Sequence, residues 1–201
     1  ANERADWQTS ENARATETLA RILAPLIAQK GLNQKRSYQI GGKTRSFTLQ
    51  DIFVMGLNYG NDSNAQRLLG GENWSAAEFE QLLPQLNAEQ LNALQGVWDT
   101  FEQYKPQIAE VTRRVLGIEP EWIAPRPFTI TSADGQVVNL RGGYYPVMYD
   151  PRASAVAADQ ELHDMESGAY SAAVINRGFL KSRVAEVHNR PLLYNMAGIY
   201  R

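Results

Sequence analysis

The sequence contains no cysteine, only two histidines among its 201 residues, and no long apolar run. Without cysteine there is no disulfide, no thiolate metal site and no cysteine nucleophile. The histidines, His163 and His188, lie in separate segments, so a histidine-rich metal site is not predicted. No apolar stretch approaches the roughly 18 residues of a membrane-spanning helix. The sequence therefore predicts no metal, no cofactor and no membrane span.

An excess of one charge is also missing. The chain has 20 basic and 22 acidic side chains, which gives a net charge of -2. A dedicated duplex-binding domain usually carries a basic excess, because neutralisation of phosphates supplies much of its affinity. With 43% apolar and 21% charged residues, the composition is that of a globular protein with a real core.

Helical periodicity dominates the first 119 residues. Helices are predicted over 9–30, 49–59, 65–69, 88–104 and 106–116, with Thr48, Ser75 and Asn87 as N-caps and Gly70-Gly71 ending the third helix. A short hairpin with a glycine turn is predicted over 38–47, and a second hairpin over 128–140. An extended segment, 144–149, follows the second hairpin.

The fold class predicted is α+β, mainly helical with a small antiparallel sheet from hairpins near 37–47 and 128–149. Residues 1–119 are expected to form a helical layer with a short hairpin, 120–150 a hairpin and extended segment, and 151–201 C-terminal helices, all in one compact domain. The last helix has apolar residues at helical spacing but no cap before Arg201, so its end is interpreted as imposed. This helix is expected to present an apolar face that the parent chain or a second copy covers, formed by Leu192, Leu193, Met196 and Ile199.

Two segments are candidate binding sites. In the first, 60–64 (Gly-Asn-Asp-Ser-Asn), Asn61 and Asn64 have the polar density of a ligand loop, but the pattern fits neither a Walker A motif nor an EF-hand. In the second, 142–146 (Gly-Gly-Tyr-Tyr-Pro), Tyr144 and Tyr145 offer faces for stacking. The alternative for both segments is architectural: a turn that satisfies its own backbone, and aromatic rings that pack on the helices.

Other candidate groups lie in the C-terminal quarter. Arg177 and Arg183 belong to a basic group that could face DNA. His163 and Asp159 would share a helix face, which is more typical of a surface contact than of a metal site. Glu166-Ser167 superficially resembles the Glu-Ser motif of lytic transglycosylases, but the continuation of that motif is missing, so this activity is disfavoured.

Three motifs carry a resemblance to a known family: 58–64 with the Gly-Gly and Trp74 that follow, Val-Trp-Asp at 97–99 with Gly-Ile-Glu-Pro at 117–120, and 142–150. Together, over roughly residues 45–201, they resemble a segment of very large phage and prophage proteins, the multidomain virion or "polyvalent" proteins. The resemblance implies a phage particle as location, with delivery to the bacterial cytoplasm as a further option. It also implies partners in the remainder of a larger parent chain or in other virion proteins.

Three functions stay open on the sequence. The first is a non-catalytic structural or interaction module, excised from a large phage virion protein or a protein co-injected with DNA. The second is a nucleic-acid-contacting module of such a protein, which would use the basic C-terminal residues and the two tyrosines. The third is an enzyme domain of unrecognised type, for which no catalytic residue is predicted.

Overall fold

The computed structural model of the chain describes residues 2–150, 191–196 and 199, with side chains from Ser10 onward. Within this part of the chain the helices are α1 (Asn2–Ile27), α2 (Leu49–Tyr59), α3 (Asp62–Glu72), α4 (Ala76–Glu80), α5 (Ala88–Glu102) and α6 (Lys105–Leu116). The strands are β1 (Arg36–Ile40), β2 (Lys43–Phe47), β3 (Phe128–Thr131) and β4 (Val137–Leu140). The predicted α+β, mainly helical class is confirmed.

Helix α2 lies at the centre of the core. Nine of its residues, including Ile52, Phe53 and Leu57, are buried, because it packs against α3, α5 and the neighbouring short 3-10 turn. Thr48 caps its N-terminus as predicted: the hydroxyl accepts from the Asp51 amide, and the Asp51 carboxylate accepts from the Thr48 amide. Each fully buried aliphatic or aromatic side chain contributes roughly 1.5–3 kcal/mol.

Capping residues and glycines predicted the ends of several other helices correctly. Ser75 and Asn87 form the predicted capping boxes of α4 and α5. Gly117, with φ at +69°, ends α6. The prediction was wrong for α3, which begins three residues earlier than expected and continues through the two glycines to Glu72. Asn73 stops it instead, in the left-handed conformation with φ at +56°.

The two predicted hairpins are confirmed as separate two-stranded sheets. In the β1–β2 ribbon Ser37 pairs with Ser46, and Gln39 with Thr44. In the β3–β4 ribbon Thr129 pairs with Asn139. The extended segment 144–149 joins neither sheet: Tyr149 forms an isolated antiparallel bridge with Leu192.

The C-terminal residues that the structure describes correct one prediction. Residues 191–195 are not helical, and they pair with the end of the 144–149 segment through hydrogen bonds from Leu193 N to Met148 O (2.9 Å) and from Asp150 N to Pro191 O (3.1 Å). Met196 and Ile199 are in 3-10 conformation. Three side chains of the expected docking face are buried in the core of the body itself: Leu192, Met196 and Ile199. The core thus draws on all three predicted segments of the chain.

Candidate functional site

The two predicted binding segments meet in the structure. The carbonyl oxygen of Gly60, at the end of α2, accepts two backbone hydrogen bonds, from the amides of Arg126 and Gly143, both at 2.8 Å. A carbonyl oxygen has two lone pairs, so this one is fully used. The loop after α2 is thereby joined to the strand-like segment that follows β4. Gly60, Asn61, Asn64, Gly142 and Gly143 together are named the junction below.

Both asparagines of the junction are fully buried, and they act on backbone groups. Asn61 caps α3, since its Oδ1 accepts from the Asn64 amide at 2.9 Å. The Asn61 Nδ2 donates to Gly143 O at 3.1 Å, and the Asn64 Nδ2 donates to Tyr145 O at 2.8 Å. These groups cannot bind a ligand without releasing buried carbonyls, which costs roughly 1–3 kcal/mol each. Their local geometry is that of a structural contact.

The glycines of the junction are required by close approach. Gly142 has φ at +75°, and a Cβ there would stand 2.4 Å from the carbonyl oxygens of both Arg126 and Gly60. A Cβ on Gly143 would stand 2.5 Å from the Cβ of Trp98. Since Trp98 is buried and donates its indole N–H to Leu57 O at 3.0 Å, the α5 side of the junction is also fixed.

The predicted stacking tyrosines are both buried. Tyr144 and Tyr145 pack edge-on against Phe101, each with ring centroids 6.2 Å apart. Burial raises the pKa of the Tyr145 hydroxyl, which has no hydrogen-bond partner among the described residues. In this conformation neither ring presents a face on which a base could stack.

The remaining predicted groups lie outside the described residues: Arg177, Arg183, His163 with Asp159, and Glu166-Ser167. Among the residues that are described, no three potential ligands come together in a group that could hold a metal ion. Over the same residues no helix combines the length and the apolar character that a bilayer crossing requires.

One polar cluster was missed by sequence reasoning. The hydroxyl of Tyr59 donates to Glu80 Oε1 at 2.6 Å and accepts from Arg126 Nη2 at 3.0 Å, while the Arg126 guanidinium lies 4.4 Å from the Tyr59 ring centroid. Burial, and then the bond to Glu80, raise the pKa of Tyr59. The cluster fixes the segment before β3 next to the junction. No local motif marks it, because its three members come from three separate elements.

A cleft of about 380 Å³ separates α1 from the corner between α5 and α6. It is lined by polar and charged side chains: Glu11, Arg14, Glu17, Thr18, Arg21, Gln103, Tyr104 and Gln107. Glu11 and Arg14 form an ion pair at 2.8 Å within it. Burial, followed by the charge of Glu11, raises the pKa of Tyr104. These residues form a solvated groove between two helices and indicate no particular catalytic or binding role.

The end of α6 carries an exposed apolar patch. Ile108, in the first half of the helix, is buried against the body, but the large apolar residues that follow are exposed. The α6 patch consists of Val111, Val115, Leu116 and Ile118. Val111 and Val115 lie one helical turn apart, and Leu116 and Ile118 follow at the helix end, so four exposed apolar side chains are gathered in a short stretch. Exposed apolar groups gathered in one place are candidates for a protein contact.

No family model, no curated protein and no solved structure matches this chain. The interpretation of its surfaces therefore depends on its own residues, and the phage resemblance stays a prediction. The two segments predicted as binding sites are buried and make structural contacts, whereas the α6 patch is exposed to solvent.

Proposed function

We propose that this chain is a non-catalytic structural and interaction module of a large phage virion protein, or of a protein co-injected with phage DNA. The α6 patch is the observation that carries the proposal. A helix that begins in the core and continues as an apolar surface gains free energy when a partner covers it, at about 25 cal/mol per Å² of apolar area. The partner proposed is another part of the parent chain or another virion protein.

The junction supports the structural half of the proposal. Its asparagine and glycine residues hold three distant segments in one arrangement, and the neighbouring tyrosines are packed inside. A module that presents a surface to a partner needs a rigid support of this kind. The phage context depends on the resemblance of the three motifs described above alone.

Photo-crosslinking tests the interaction surface with a matched pair of positions. Val115 and Val137 are exposed to almost the same extent, 68% and 67%, but only Val115 belongs to the α6 patch. A photoreactive residue is placed at either position in the parent protein as it is made during infection, and products are identified by mass spectrometry of purified particles. Crosslinks to the parent chain or a virion protein are expected from position 115 and not from 137.

Two results count against the proposal. Equal crosslinking at both positions would make the contact non-specific. Absence of the protein from purified particles and from injected material would remove the phage assignment, whatever the behaviour of the α6 patch. The two halves of the proposal can therefore fail separately.

A further inference from the structure

The positive charge of this chain is unevenly distributed. Residues 18–50 contain six cations, Arg21, Lys30, Lys35, Arg36, Lys43 and Arg45, and no carboxylate. The remainder of the chain has more carboxylates than cations, so the net charge of the whole chain does not reveal the positive charge of this segment. The β1–β2 ribbon lies in the second half of the segment and carries three of its six cations, Arg36, Lys43 and Arg45.

The inner face of the ribbon is occupied by the body. Ile40 is buried, and Phe47 packs edge-on against Trp74 with ring centroids 5.6 Å apart. Arg45 points the same way, since it pairs with Glu72 and lies 5.6 Å from the Trp74 ring centroid. One face of the ribbon is thus fixed to the body and the other is left to solvent.

The outer face is uncharged and hydrogen-bonding throughout. Directly paired residues share a face of a sheet, so Ser37 with Ser46 and Gln39 with Thr44 form this surface. All four are exposed. They are linked across the strands, with Ser37 Oγ and Ser46 Oγ 3.2 Å apart and Gln39 Nε2 donating to Thr44 Oγ1 at 2.7 Å.

Exposed cations lie at the ends of the ribbon and just before it. By register Arg36, opposite Phe47, and Lys43, opposite Ile40, belong to the inner side of the ribbon but lie at its two ends, where both are exposed, whereas Lys30 and Lys35 precede β1. Lys30, Lys35, Arg36 and Lys43 take part in none of the ion pairs formed among the described residues. The carboxylates nearest the ribbon belong to the body: Glu72 is paired with Arg45, and Glu78, beside Gly41, accepts hydrogen bonds from Ser75. No carboxylate among the described residues thus neutralises these four cations, although Arg36 also interacts with the neighbouring Tyr38 hydroxyl.

We propose that the β1–β2 ribbon binds double-stranded DNA, with its outer face in the major groove and the long cationic side chains at its ends and before β1 on the flanking phosphates. The B-DNA major groove, about 12 Å wide, admits a two-stranded β-ribbon, and hydroxyl and amide side chains can bond base edges there. Five residues per strand give a ribbon about 17 Å long. A membrane surface fits less well, because the outer face has no apolar side chain to insert.

This activity goes beyond the proposed structural role and does not depend on the α6 patch. It also uses different residues from the C-terminal cations predicted from the sequence. The second hairpin offers an internal comparison: β3–β4 is one residue shorter per strand and has a similar Thr129–Asn139 pair, but no cation between residues 127 and 140.

Fluorescence anisotropy with a 24-base-pair duplex at 20–150 mM salt tests the proposal on the whole chain. Four phosphate contacts predict a log–log salt slope of about -3 to -4. Lys35→Gln, Arg36→Gln and Lys43→Gln combined are expected to reduce that slope by about 3. The control combines Arg14→Gln, Arg113→Gln and Arg114→Gln, which removes the same charge from exposed sites elsewhere and should leave binding within about twofold.

A second pair of variants tests the outer face. Gln39→Glu is expected to weaken duplex binding at least tenfold, whereas Asn139→Asp, the corresponding change on the other ribbon, is expected to have little effect. Circular dichroism checks that each variant is folded. The proposal is overturned by absence of duplex binding at 20 mM salt, by equal loss in the two triple variants, or by single-stranded DNA of the same length binding as tightly. Binding to vesicles with 30% phosphatidylserine but not to DNA would also overturn it.

Discussion

The side-chain amide of Asn64 donates a 2.8 Å hydrogen bond to the backbone carbonyl of Tyr145, and both residues are buried. This contact makes one candidate binding segment the support of the other. An asparagine of a type often found in ligand-binding loops instead attaches α3 to the segment after β4. Its energetic weight can be measured directly.

Asn64→Ala is expected to lower the free energy of unfolding by about 2 kcal/mol, because a buried carbonyl loses its donor. Asn61→Ala should cost about 1 kcal/mol more, since it also removes the cap of α3. Asn61→Ser keeps a capping oxygen but is too short to reach Gly143, so it should recover that difference. Urea unfolding measures all three.

The control for these variants is Asn139→Ala, which breaks an exposed bond to Thr129 and should change stability by less than about 0.5 kcal/mol. If Asn64→Ala proved as mild as Asn139→Ala, the junction would not be a stabilising contact.

Gly60 and Trp98 form a pair that a double-mutant cycle can test. A Cβ on Gly60 would stand 2.4 Å from the indole ring, so Gly60→Ala is expected to cost more than about 3 kcal/mol in the wild-type background. In a Trp98→Leu background the ring is gone, and the added cost should fall below about 1.5 kcal/mol.

Gly142 should behave differently in the same cycle. Its neighbours are backbone oxygens, so no side-chain substitution can make room, and Gly142→Ala should be severe in both backgrounds. Gly42→Ala reports the cost of positive φ alone, about 1–2 kcal/mol, because nothing lies within 4 Å of its Cβ position. Rescue of Gly142→Ala by Trp98→Leu would contradict this geometry.

Tyr145 should make stability sensitive to alkaline pH. Burial raises its pKa in the folded state, so its contribution is fully present below the unfolded pKa of about 10 and is lost as pH rises above that value. Tyr145→Phe should leave stability at pH 8 unchanged within about 0.5 kcal/mol, because its hydroxyl has no partner among the described residues.

The same variant should lose less stability than wild type between pH 8 and 11, by up to about 1.4 kcal/mol per pH unit above 10. Urea unfolding at the two pH values measures the difference. A Tyr145→Phe protein that loses stability in parallel with wild type would show that this hydroxyl does not titrate with folding. Tyr59→Phe, which also removes bonds to Glu80 and Arg126, serves as the contrast.

A substitution at Leu192 distinguishes the observed burial of this side chain in the core from the predicted uncovered docking face. Leu192→Ala should cost about 2–5 kcal/mol, as for other buried leucines. Leu116→Ala, in the exposed α6 patch, should cost less than about 1 kcal/mol. Thermal and urea unfolding report both; a negligible effect of Leu192→Ala would restore the interpretation of this segment as an uncovered surface.

The sequence predicted the features whose causes are local. Caps such as Thr48, Ser75 and Asn87 bond within three positions, so periodicity and residue type locate them. The partners of Asn61 and Asn64 lie about 80 positions away, and no local pattern indicates an amide that serves a distant carbonyl. The two glycines at 70 and 71 predicted the end of α3 too early, because low helix propensity is a weak signal. The left-handed residue that ends the helix is Asn73, whose backbone amide bonds to Gly70 O and Leu69 O.

The basic ribbon was missed because charge was summed over the whole chain. A windowed count would have found residues 18–50. The sequence also shows polar residues at alternate positions of each strand. Only the pairing register, however, shows that Ser37, Gln39, Thr44 and Ser46 lie on one surface.

The saturated carbonyl of Gly60 has a consequence for synthesis. Its two donors, Arg126 and Gly143, are made long after α2 has left the ribosome. Until then, the end of α2 and both asparagines must remain hydrated, so helices α1 to α3 cannot reach their final packing before Arg126 has been made. A ribosome-stalled chain ending near residue 120 should be readily cleaved by protease in the 60–64 loop, and protection should appear only after residue 145 has emerged.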